Sequence, residues 1–170
     1  NNPPLMRVSQ ALTTSIPNNS ATALSFGTAA TVAPDTYSGW NGTAVYTAAL
    51  PGLYLAAPTV SFSASAAGQR YSALAVNGTA FTFQGPSYAA VTVGSAATSV
   101  TQLRILDLAA GDTVSLKAFQ DSGSSLALGG ASYSTRLIIA MLCPYAPSGG
   151  ATTASPPDTS FRWSAGLPPS

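Results

Sequence analysis

The sequence predicts an all-β sandwich or barrel on three observations: short β-rich runs at regular spacing, turn residues between them, and no sustained helical stripe. Apolar residues at i, i+3, i+4 and i+7 persist in no window, because Gly, Pro or Ser/Thr clusters interrupt each one. Strands are expected near residues 6–12, 22–26, 44–48, 52–65, 69–76, 80–84, 100–108, 113–120, 126–128 and 133–142.

The turns carry specific chemistry. Asn77-Gly78 separates two apolar runs, and a two-residue hairpin needs positive φ at both central positions. Ala66-Ala67-Gly68 suits another hairpin, with Gly68 taking the left-handed conformation. Ala110-Gly111-Asp112 parts the run ending at Leu108 from the one starting at Thr113, and Asp112 is suited to bond its own backbone two residues on. The stretch 28–43, with Pro34-Asp35 and Gly39-Trp40-Asn41-Gly42, reads as a long loop.

Two kinds of strand are expected. In 113–120, Val114, Leu116 and Ala118 alternate with Ser115 and Lys117, one dry face and one wet. The runs 52–57 and 137–142 are apolar on both faces. A sandwich strand turns only one face to the core, so the second needs another cover. A neighbouring subunit is the simplest, and a loop or an arm of the chain ranks second. Pro58 cannot donate to a ladder, which places it at an edge or bulge, where the long run kinks or divides.

Composition narrows the function. At 170 residues the chain fits one domain with arms, or a domain with a small satellite. A domain of this size buries roughly 70% of its unfolded surface and needs no staple. The hydrophobic fraction of 46% is ordinary, but charged residues make up only 6% against about 25% in typical proteins. Glu and His are absent; five Asp stand against Lys117 and five Arg, for a net charge of +1. So little charge gives copies little mutual repulsion. It fits a surface occupied in an assembly, with a Ser/Thr-rich secreted domain as the alternative.

Six scattered cations make no basic stripe, so nucleic acid is not the expected partner. No run approaches the ~18 apolar residues of a membrane span, so no membrane insertion is expected. The first six residues lack a signal-peptide pattern. A lone Cys143 excludes an internal disulfide framework.

Catalysis finds few players. A Ser or Cys nucleophile needs a base, commonly His, and none exists. Cys143 beside Pro144 has no local activator, and a Ser–Lys dyad through Lys117 would use a side chain on the wet face. Paired carboxylates would have to come from scattered Asp. No enzyme activity and no cofactor are expected. Asp107 and Asp112 flank one turn and suit a calcium ion poorly, since calcium takes six to eight oxygens; turn capping by Asp112 and pairing of Asp107 with an Arg is the favoured reading. Asn18-Asn19-Ser20, Asn41-Gly42-Thr43 and Asn77-Gly78-Thr79 match the glycosylation pattern, two of them explained as Asn-Gly turns. Tyr37, Trp40, Tyr88 and Tyr145 lie in or beside loops; the first three are the candidate ligand contacts, with barrel-end packing as the other reading.

After Leu142 the sequence becomes Pro/Gly/Ser/Thr-rich, the makings of an extended arm. It ends with Phe161-Arg162-Trp163, an odd choice for a free tail, so both aromatics are expected to anchor the arm on its own barrel or a neighbour. The division expected is an N-terminal arm with the first strand (1–20), the main domain (21–142) and a C-terminal arm (143–170).

Three stretches in order resemble the trimeric jelly-roll superfamily of complement globular heads and tumour-necrosis-factor ligands. "VYTAALPGLYLAAPTVSF" (45–62) is similar to the family's strand, Pro-Gly turn and Tyr strand. "LRILDLAAGDTVSLKA" (103–118) is similar to two strands joined by a Gly-Asp turn, and "YSTRLIIAML" (133–142) to the closing strand. The family's aromatic-Ser-Gly is replaced here by Ser134-Thr135-Arg136, and neither a collagen stalk nor calcium-binding acidic clusters are present. The resemblance implies a two-sheet jelly roll and a homotrimer whose interface takes Leu53, Leu55, Leu137, Ile138, Ile139 and Met141. Domains of this kind also occur in tailed-phage virions as head decorations, head fibres or tail components, and the Ala/Gly/Pro-rich, Lys-poor composition is similar to those. A virion location with capsid or tail proteins as partners is therefore expected. The alternative is a receptor- or glycan-binding module on a tail tip or in secreted form.

Overall fold

The computed structural model describes residues 2–12, 14–79, 87–89, 97–129 and 134–145, with the backbone alone for Ser87–Ala89. Among the described residues the thirteen strands are β1 (Leu5–Gln10), β2 (Ser15–Ile16), β3 (Thr22–Ala23), β4 (Thr31–Asp35), β5 (Val45–Thr47), β6 (Gly52–Phe62), β7 (Arg70–Val76), β8 (Ser87–Ala89), β9 (Thr98–Thr101), β10 (Arg104–Leu108), β11 (Thr113–Gln120), β12 (Leu126–Ala127) and β13 (Thr135–Pro144). One sheet runs β10-β6-β13-β1-β4, with β9 on the far half of β6. The other runs β3-β11-β7-β8, with β5 also on β11, and β2 and β12 form a small pair. Every pairing is antiparallel. The fold is an all-β jelly-roll sandwich, as the turn and strand patterns predict.

Alternation sorts the side chains. On β11, Val114, Leu116 and Ala118 are buried, and Thr113, Ser115, Lys117 and Phe119 are half-buried. On β6, Tyr54, Ala56, Val60 and Phe62 enter the core, joined by Met6 and Val8 from β1 and Leu137, Ile139 and Met141 from β13. Each large apolar side chain so buried contributes about 1.5–3 kcal/mol.

The hairpin chemistry is as expected at Asn77-Gly78, where φ is 52° and 66°, both positive. Gly68 is left-handed at 71°. Gly52 serves a close approach instead: a Cβ there would collide with the carbonyl oxygen of Cys143 on the paired strand β13.

Three expectations need adjustment. The long run forms one strand, β6, over Gly52–Phe62 with no division at Pro58, and it is its neighbour that divides: 100–108 splits into β9 and β10. Pro58 sits opposite that break, its carbonyl accepting from Gln102 N–H (3.2 Å), so a central strand tolerates a residue with no N–H. The stretch 28–43 contains an edge strand, β4, paired to β1 with a register shift. The expected strand at 80–84 lies outside the described residues, as do most of the C-terminal arm, Phe161 and Trp163.

Candidate functional site: an apolar sheet face

The face of the larger sheet turned away from the core is built in rows by strand register. Ile105 on β10 pairs with Leu55 on β6, Leu55 with Ala140 on β13, and Ala140 with Leu5 on β1. This is an apolar row four strands wide, spanning about 14 Å at ~4.8 Å per strand. In the next row Ala57 pairs with Ile138, and Ile138 with Arg7. On the other side of the first row, Leu53 pairs with Asp107 and with Cys143. Ile105 (65% exposed) and Leu142 (53%) stand open on this sheet and Leu103 (67%) in the break between β9 and β10, while Leu53, Leu55 and Ile138 are half-buried. Scattered exposed leucines are ordinary, but a contiguous apolar patch marks an interaction surface.

Farther along the same strands the face becomes polar. Thr59 pairs with Thr101 and with Arg136, and Arg136 with Ser9. The Thr59 and Thr101 hydroxyls share a hydrogen bond (3.1 Å), Arg136 Nε donates to Thr59 Oγ1 (3.2 Å), and the Ser61 and Ser99 hydroxyls share one at 2.9 Å. Charge is divided across the face, with Asp107 on β10 and Arg7 and Arg136 on β1 and β13.

The six expected interface residues therefore part by alternation. Leu53, Leu55 and Ile138 belong to the outer face. Leu137, Ile139 and Met141 point the other way and are buried in the sandwich core, which corrects their placement as surface residues. The residues that the sequence reasoning missed are Leu5, Leu103, Ile105, Ala140 and Leu142; the alternation of Leu103, Ile105 and Asp107 against Arg104 and Leu106 is the signal that finds β10's share.

At one end of the sandwich Asp35 organises the loop that follows β4. Its carboxylate oxygens accept from Gly39 N–H and Trp40 N–H, both at 3.0 Å. Trp40 is half-buried and packs edge-on against Phe26 (5.7 Å), so it serves packing here. Tyr37 is exposed, and the side chain of Tyr88 lies outside the described residues. Behind them the buried Tyr46 phenol is held far above its ordinary pKa by desolvation, and Tyr54 Oη donates to Leu50 O (2.7 Å).

The glycosylation-pattern asparagines are busy with turns. Asn41 Oδ1 accepts from the N–H groups of Thr43, Ala44 and Val45 (2.9, 2.9 and 3.0 Å), and Asn18 Oδ1 accepts from Gly123 N–H at 2.7 Å. Asn77 joins two hairpin ends: its Nδ2 donates to Asp112 Oδ1 (2.8 Å) and its Oδ1 accepts from Thr113 N–H (2.8 Å). Asp112 Oδ2 accepts from Ala109 N–H (2.7 Å), bonding back along the chain and not two residues on. Asp107 lies beside the Tyr145 phenol, which it pushes above its ordinary pKa. Among the described residues no three metal-ligating side chains come together.

The Asn77 and Ala109 donors hold the Asp112 carboxyl below its ordinary pKa. A group lowered by folding stabilises above its unfolded pKa and loses that contribution as pH falls through the folded one. Acidification below the ordinary carboxylate range is thus expected to weaken the paired hairpin ends. Thermal melts between pH 6 and pH 2 should fall less steeply for Asp112→Asn than for the parent; equal slopes would show that Asp112 contributes nothing.

This architecture defines an antiparallel two-sheet jelly roll with one solvent-facing apolar sheet. No protein-family model matches the sequence, and no curated protein matches it. Solved structures do match. The chain is similar to the globular domain of zebrafish complement 1qA protein (TM-score 0.57, 16% identity, covering 84% of this chain and 99% of that one). It is also similar to murine APRIL at pH 5.0 (0.59, 14%, 82% and 99%) and to Eiger TNF from S. frugiperda (0.51, 12%, 87% and 98%). The fold is that of the complement-head and tumour-necrosis-factor jelly rolls. No helix of the described residues is long and apolar enough to cross a membrane.

Proposed function

We propose that the chain is a non-enzymatic assembly module, a homotrimer whose copies bury the apolar row Ile105–Leu55–Ala140–Leu5 against one another. That row is the observation that carries the reading: it is contiguous and fixed by register, and nothing among the described residues shields Ile105. The opposite charges on its two flanks suit a closed ring, in which one flank of each copy meets a different flank of the next. The resemblance to trimeric jelly rolls supplies the number three.

Within that reading, the low charge and Ala/Gly/Pro-rich composition support a virion structural role, as a capsid decoration or fibre protein of a tailed bacteriophage held by its arms. A recognition module is the second reading, favoured by exposed Tyr37 at the loop end. Sedimentation equilibrium at micromolar concentration is expected to give a trimer, and a stable monomer would sink the proposal. Co-sedimentation with phage particles, against binding to host-surface glycans, separates the two roles.

A further inference from the structure

Beside the loop end lies a cleft of ≈ 370 Å³ lined by Pro3, Pro4, Tyr37, Leu50, Met141 and Pro144, with Asn2 at its polar side. It is distinct from the sheet face, since Met141 reaches it from the core side of β13. Its lining is proline rings, one phenol and aliphatic carbon, which offer flat apolar contact and little to bond a sugar or a charge. Tyr37 (38% exposed) and Leu50 (37%) stand open at it.

The C-terminal arm starts at the cleft's wall. Pro144 lines it, and Tyr145 N–H donates to Pro51 O (3.0 Å), fixing the point where the arm departs. Phe161 comes sixteen residues later. For a flexible linker sixteen residues give a root-mean-square span of about 22 Å and an effective concentration near millimolar, so the length of the chain would allow Phe161 to reach the cleft of its own domain. Phe161 and Trp163 are two apart, so in an extended segment both project to one side while Arg162 projects to the other. Paired rings on one face of a proline-containing strand are the chemistry that a proline- and tyrosine-walled groove accepts.

We propose that residues 146–170 fold back on their own domain and seat Phe161 and Trp163 in this cleft. The inference does not depend on the oligomeric state. It is tested in the full chain by Trp163 fluorescence, taken as the difference between the parent and Trp163→Phe, which removes the signal of Trp40. The emission is expected to be blue-shifted, and acrylamide quenching several-fold weaker than for a free peptide of residues 146–170. Leu50→Asp should restore peptide-like quenching with the thermal melt unchanged, because Leu50 is not in the core; Tyr37→Ser provides the same test should Leu50→Asp not fold. Quenching equal to the free peptide in the parent would overturn the proposal, as would protection that survives both substitutions. Docking on a neighbour is separated by refolding Leu50→Asp with a ninefold excess of Trp163→Phe. Protection of Trp163 in that mixture would overturn docking within one chain, and its continued quenching supports it.

Discussion

Ile138→Asp and Ile139→Asp, one residue apart on β13, are expected to give opposite results. Ile139 is fully buried against Ala56 of β6 and Met6 of β1, its register partners. An aspartate there forfeits about 1.5–3 kcal/mol of apolar burial and must also desolvate a charge or stay protonated. Against a total stability of roughly 5–15 kcal/mol, that variant should not fold. The milder Ile139→Ala should fold with a loss of about 2–5 kcal/mol. Ile138 faces outward between Ala57 and Arg7, so its aspartate meets water in a single copy. Ile138→Asp should keep its β-sheet circular dichroism and sediment as a monomer, because a second copy closing over the carboxylate would have to strip it of water. Ile105→Asp on β10 should do the same. If Ile138→Asp and Ile105→Asp both remain trimeric, the apolar row is not the interface.

The second large effect is expected at Gln120, a fully buried polar residue at the end of β11. Its Nε2 donates to Ile16 O (2.9 Å) and Ser124 O (2.8 Å), and its Oε1 accepts from Ser122 N–H (2.7 Å) and Ser122 Oγ (2.6 Å). One amide thus ties β2 and the turn after β11 into the sandwich. Gln120→Leu keeps the volume and removes all four bonds. The Ile16 carbonyl is the part of the set with no route to water, and an orphaned buried group costs about 1–3 kcal/mol. With the turn loosened as well, the loss should come to roughly 2–4 kcal/mol in chemical denaturation. A change below 0.5 kcal/mol would mean that water or a neighbour replaces the amide.

How far the sequence reveals these features depends on how local their causes are. The Asn77-Gly78 hairpin and the alternation of 113–120 are written in adjacent residues, and both are found as read. The same alternation carries Gln120 inward after Val114, Leu116 and Ala118, a signal that goes unread because glutamine is usually exposed. β4 is hidden for the opposite reason: an edge strand with Pro34 inside it and mostly exposed side chains shows no alternation. The run 137–142 is apolar on both faces, so its composition cannot say which half is core. Pairing decides that. Tyr54, Ala56 and Met6 fill the sandwich opposite Met141 and Ile139, which leaves Ile138, Ala140 and Leu142 outside. The apolar face was therefore visible in the sequence, and its membership was not.

The outward face changes along its strands from leucine and isoleucine to threonine, serine and arginine, and that change has a directional consequence. A copy packed upside down would press Leu55 and Ile105 onto the exposed Thr101, stripping its hydroxyl of water while offering no partner in return. A copy slid by one residue along the strand would be mismatched in pleat, and one slid by two would lay aliphatic carbon against Arg136. In the proposed trimer the face would act as a polarity ruler, setting every copy the same way up about the shared axis.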